Sequence, residues 1–147
     1  MSTDRRVGKR AVRSRSTDKS TLERVVKYSL EQAFDVFIHA KAVEGLRERT
    51  LNDYRTHFRY LEEWLKDSHP EVEYIGDITA QTLRDYVYYL TYEKPHYEGH
   101  PLKSEVDKAK RGLSPASVNI RISTMKAFFK WLHAEGIIPS NPAANWC

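Results

Sequence analysis

Four side chains in the last third of the 147-residue sequence, Asn119, Ser123, Lys126 and Lys130, recur at intervals of four, three and four. On a helix turning about 100° per residue that spacing puts all four on one stripe. The two amines supply charge for phosphate, and the amide and hydroxyl can bond phosphate oxygens or base edges, so the stripe suits a nucleic-acid groove. Further up the chain Asn52, Arg55, Thr56 and Arg59 form a second such set. Arg47, Arg49 and Thr50 precede it, where a helix would begin and its free amides would favour an anion. Each stripe alone could equally be an ordinary solvated face; two of them point to a two-pronged grip on a duplex.

Other chemistry finds less footing. His96 and His100 are spaced like metal ligands, but they lie in a Pro/Gly-containing stretch without the cysteines or further histidines of a closed zinc site, so no metal is expected. Glu62 and Glu63 read as solvated charge rather than an acid–base pair. There is no glycine-rich phosphate loop, and no cofactor is implied. Cys147 is the single cysteine, so no internal disulfide framework exists and a reducing, cytoplasmic setting is expected.

The elements that must position these residues are helical. Ser29 with Gln32 has capping-box spacing and is followed by Leu30, Ala33, Phe34, Phe37 and Ile38 at helical intervals, a first helix ending near Gly45. A second runs from about Arg47 to Asp67 on Leu51, Tyr54, Phe58, Leu61 and Leu65, and stops at His69-Pro70. A third follows the N-cap Thr79, with Ile78 and Leu83 as a hydrophobic staple, and ends before Pro95. The fourth opens with Leu113, the N-cap Ser114 and Pro115, buries Val118, Ile122, Met125, Phe129 and Leu132, and closes at Gly136. Asn141-Pro142 repeats the cap-plus-proline signature, so a short fifth helix is expected there. Residues 94–112 form a long polar connection with a turn of helix expected at 104–110. Val72–Ile75 is the one segment able to pair briefly as a strand. The expected fold is all-α, a bundle of four to five helices. On the outer side of the fourth helix Ile120, Ala127 and Trp131 form an apolar strip in need of a partner, either the rest of this domain or another one.

Charge is distributed unevenly about a net +4. Residues 1–20 carry seven Lys/Arg against two Asp and almost nothing apolar, as expected of a disordered basic arm. Residues 112–147 carry three bases against one acid, whereas 21–111 hold 14 bases and 17 acids. The positive excess therefore lies in the arm and the last helix, an asymmetry that favours a polyanion. With 30% charged residues and no apolar run near the roughly 20 residues of a membrane span, no membrane partner is expected.

Three blocks carry a resemblance: Arg49–Leu65 (RTLNDYRTHFRYLEEWL), Asp77–Leu90 (DITAQTLRDYVYYL) and Leu113–Ala143, where Ser117-x-Asn119-x-Arg121 opens the helix, Phe128-Phe129 follows and Gly136-x-Ile138-x-x-Asn141-Pro142 closes it. In order and spacing the chain resembles the N-terminal, SAM-like core-binding domain of the tyrosine recombinases, or phage integrases. The resemblance implies a helical bundle over one face of a DNA duplex, its second and fourth helices toward the major groove, with a C-terminal catalytic domain clamping the other face. It implies that Ser114, Ser117 and Arg121 join the candidate DNA contacts. In such enzymes a tyrosine attacks the phosphodiester to give a 3′-phosphotyrosine, and arginines, a lysine and histidines neutralise the charge. The family's His-x-x-Arg motif is absent here, so the chain is expected to hold DNA without cutting it.

The expected organisation is a basic arm at 1–28, a DNA-binding domain at 29–143, and at 144–147 the start of a linker to a catalytic domain. Duplex DNA, that catalytic domain and other recombinase protomers are the implied partners, in a bacterial cytoplasm at the nucleoid. Two other readings remain open: a helix-turn-helix regulator, against which the long connection before the fourth helix argues, and a protein-interaction bundle using the Ile120, Ala127 and Trp131 strip.

Overall fold

A computed structural model describes residues 27–95 and 110–146. Most of the expected arm, the middle of the long connection with His96, His100 and its expected helical turn, and Cys147 lie outside the described residues. Four α-helices are present among the described residues: α1 (Leu30–Val43), α2 (Glu48–Ser68), α3 (Ala80–Tyr88) and α4 (Pro115–Ala134). A 3-10 turn, Ile75–Asp77, precedes α3, and a π-helical turn, Tyr89–Glu93, prolongs it. No strand forms among the described residues. Val72–Ile75 yields only an isolated bridge, Ser29 to Tyr74, which ties the entry of α1 to the segment before α3.

Local signals start the helices. At α1 the Gln32 amide donates to Ser29 Oγ at 3.1 Å and the Ser29 amide to Gln32 Oε1 at 2.9 Å. Thr79 and Thr82 form the same reciprocal pair at α3, and Ile78 and Leu83 are both buried there, as the staple requires. Ser114 Oγ accepts from the Ser117 amide at 3.2 Å ahead of Pro115. Arg47 stands at the N-cap of α2 with no side-chain cap bond. The helices α1 and α4 are followed by Gly45 and Gly136, at φ 94° and 76°.

Two aromatic clusters hold the bundle. Phe34 of α1 stacks on Phe58 of α2 with ring centroids 4.5 Å apart, and Phe128 of α4 meets Phe34, Phe37 and Phe58 at 4.8–5.3 Å. Near the far end of α2, Trp64 packs on Tyr86 of α3 and Tyr89 of the π turn. Such ring pairs add about 0.5–1.5 kcal/mol each beyond their area burial.

Helix α4 is buried over a wider arc than its expected stripe. Thr124 and Phe128 are buried alongside Val118, Met125, Phe129 and Leu132. The strip expected to need a partner finds it largely within this domain. Trp131 meets Phe37 edge-on at 5.6 Å and Ala127 packs on the core, so α1 covers that side; only Ile120, 58% exposed, remains outside. A correction concerns Pro142. No fifth helix forms: Asn141 Oδ1 accepts from the Ala143 amide at 2.9 Å, and the bonds Ala144 to Asn141 and Trp146 to Ala143 are isolated i to i+3 turns. The asparagine side chain fixes a turn instead of nucleating a helix.

The two ends of the long connection are pinned together. The Gly112 amide donates to the Lys94 carbonyl at 2.9 Å and the Leu113 amide to the Leu90 carbonyl at 2.7 Å, beside a Pro95–Arg111 bridge. Gly112 is at φ 84°, and a Cβ there would fall 1.9 Å from the Thr91 carbonyl oxygen. Only glycine allows that approach, which sets the start of α4 directly against the end of α3.

Candidate nucleic-acid interface

Beside the Phe58–Phe128 ring contact, two contacts of polar groups join α2 to α4 among the described residues. The Thr124 hydroxyl lies 3.3 Å from the Ile120 carbonyl of its own helix and shares a 2.7 Å hydrogen bond with His57 Nδ1. The guanidinium of Arg121 lies 4.5 Å from the centroid of the Tyr60 ring. These contacts join the middle turns of the two longest helices.

On α4, Asn119, Ser123 and Lys130 are exposed and Lys126 is half-buried. At its start Ser114 is spent on the cap, its hydroxyl also donating to Ser117 Oγ at 3.0 Å. Arg121 turns inward rather than outward. Its Nη1 and the Tyr86 phenol oxygen are both hidden from solvent, and the guanidinium faces that phenol closely enough to act on it as a hydrogen-bond donor. Burial pushes the Tyr86 phenol up, and the Arg121 guanidinium beside it acts in the opposite direction.

On α2, Arg47, Arg49, Asn52, Arg55 and Arg59 are exposed, and Thr50 and Thr56 half-buried. Arg55 leans back along its own helix, bonding Asn52 Oδ1 at 2.6 Å and Glu48 Oε1 at 3.1 Å. With Arg59 it borders a cleft toward α1 that Glu31, Asp35 and Glu62 also line, so part of its charge is answered within the domain. Arg59 reaches Glu63 only at 4.0 Å. Among the described residues no carboxylate pairs with Arg47, Arg49, Lys126 or Lys130, which leaves their charge for solvent or a ligand.

Three residues outside the sequence-derived set belong to this surface. Tyr60 is the ring over which Arg59, Lys94 and Arg121 gather. Lys94, just past the π turn, is carried there by the Gly112 pin. His57 is the hinge between the helices. Its pKa is lowered, first by burial and then by the Arg121 charge, with Asp53 opposing. Spacing offered a signal only for Tyr60, which follows Arg59 and stands eight residues after Asn52.

Four helices in this order, capped and packed in this way, define a small all-α domain of the kind found at the N-termini of integrases. The match to the family model described as phage integrase SAM-like domain covers residues 29–146, and the chain belongs to that family. Among solved structures, the N-terminal domain of a phage integrase/site-specific recombinase from Haloarcula marismortui superposes with TM-score 0.57 at 15% identity, over 80% of this chain and 93% of that one. A lambda integrase dimer bound to a COC′ core site gives TM-score 0.59 at 19% identity, over 88% of this chain and 30% of that one. These likenesses establish the fold. Tyrosine recombinase XerC from Yersinia pestis is 40% identical over 43 residues, a stretch spanning 29% of this chain and 14% of that recombinase.

Proposed function

We propose that this chain is the DNA-gripping domain of a site-specific tyrosine recombinase, laying α2 and α4 along one face of a duplex toward its major groove. Arg47, Arg49, Lys126 and Lys130 take backbone phosphates in this reading; Asn52, Asn119 and Ser123 have the donors and acceptors to read base edges. Strand cleavage falls to a catalytic domain of the same parent protein, and partner protomers assemble on the shared DNA. The setting is the cytoplasm, at the nucleoid. Residues 1–28 serve as a basic arm beside a domain at 29–143, with a linker beginning at 144.

The observation that carries the reading is the joining of α2 to α4 through His57–Thr124 and Arg121–Tyr60, which supports taking their two cation-bearing ridges together as one contact surface. Fluorescence anisotropy with a labelled duplex tests it. Weak binding that falls steeply as salt rises is expected, because each phosphate contact releases condensed counterions. Binding indifferent to salt, or none at low salt, defeats the reading.

A further inference from the structure

Tyr60 is half-buried on α2 and carries a collar of three cations drawn from three parts of the fold. Arg121 Cζ from α4 lies 4.5 Å from the ring centroid, Arg59 Cζ from α2 lies 5.2 Å away, and Lys94 Nζ from beyond the π turn lies 5.2 Å away. The three charges therefore sit within roughly one Debye length, about 10 Å at 0.1 M salt, and are poorly screened from one another. The ring face offsets part of their repulsion. Among the described residues the carboxylate that reaches the collar is Glu63, and only at 4.0 Å from Arg59. Arg121 also adds its charge to the surroundings of His57, whose pKa is lowered first by burial and then by that guanidinium.

We propose that the collar is a phosphate-binding subsite, taking one backbone phosphodiester of the duplex between Lys94, Arg121 and Arg59. The assignment rests on the DNA-gripping function above and extends its contact surface from the two helices to the segment after α3. An anion there replaces three-way repulsion with attraction. Two arginine forks and a compact ammonium match the two non-bridging oxygens of a phosphodiester. Tyr60 positions the cations without touching the ligand. Free phosphate offers the same chemistry as a backbone phosphate, so the test has an arm for each.

In the first arm, duplex affinity is measured against salt for the full chain, for Lys94→Ala and for Lys66→Ala, an equal charge loss at a lysine paired with Glu62 away from the collar. Lys94→Ala is expected to reduce the slope of log K against log salt by about one unit and to weaken all sequences alike. Lys66→Ala should match the parent. A parent-like slope for Lys94→Ala, while the parent binds with steep salt dependence, overturns the subsite and spares the DNA reading. In the second arm, inorganic phosphate is titrated and side-chain NMR signals of Arg59, Lys94 and Arg121 are followed. Saturable shifts that weaken in Lys94→Ala support the subsite even if the duplex is not bound; their absence together with duplex failure overturns both.

Discussion

His57 reaches from α2 to α4 through its hydrogen bond with Thr124, and burial and the Arg121 charge both oppose its protonation. Its folded pKa lies below the unfolded value, so the unfolded chain binds the extra proton first and stability rises with pH across the interval. The stabilisation is fully present above the unfolded value of about 6.5 and is lost as pH falls through the folded one. Thermal melts between neutral and mildly acid pH should therefore show a falling Tm, and His57→Gln should flatten that dependence; an unchanged pH profile in the variant removes His57 as the cause. Phe128 marks another residue-scale effect. It is fully buried among Phe34, Phe37 and Phe58, and Phe128→Ala should cost about 3–5 kcal/mol in urea unfolding. Neither role was legible in the sequence. The α4 stripe was read on Met125, Phe129 and Leu132, and a helix flanked on two sides has no single apolar face to reveal Phe128. His57 lies beside the apolar stripe of α2, and its partner is 67 positions away.

Helix starts and stops were the most legible features, because capping is decided within four residues. Ser29, Thr79 and Ser114 each accept the amide three residues on. Ser114→Ala should lower unfolding free energy by about 0.5–2 kcal/mol, with Ser114→Gly losing less. An undiminished stability in Ser114→Ala would mean that the cap bond contributes nothing. Asn141-Pro142 had the same local signature and makes turns, since its side chain satisfies the Ala143 amide. The π turn left no periodic trace. Its position depends on Gly112, from a distant part of the chain, meeting the Thr91 carbonyl. Gly112→Ala is expected to destabilise by at least about 1–3 kcal/mol from the backbone conformation alone and to move Lys94 away from Tyr60.

At the scale of the whole molecule, fold class and helix order were readable because the apolar period and the caps agree along the chain. The candidate surface was readable only in part. Outward positions such as Asn119, Ser123 and Lys130 follow from a helical wheel, whereas the inward turn of Arg121 and the approach of Lys94 depend on how elements meet. If Lys126 and Lys130 both touch phosphate, their double replacement by Ala should lower the salt slope of duplex binding by at most about two units. No change would remove that end of α4 from the contact surface. The pin between 90–95 and 111–113 has an engineering consequence. Because these bonds close the chain at one point, the spacing of α3 and α4 is set there, and a reporter peptide spliced between 95 and 111 is expected to leave the helices in register.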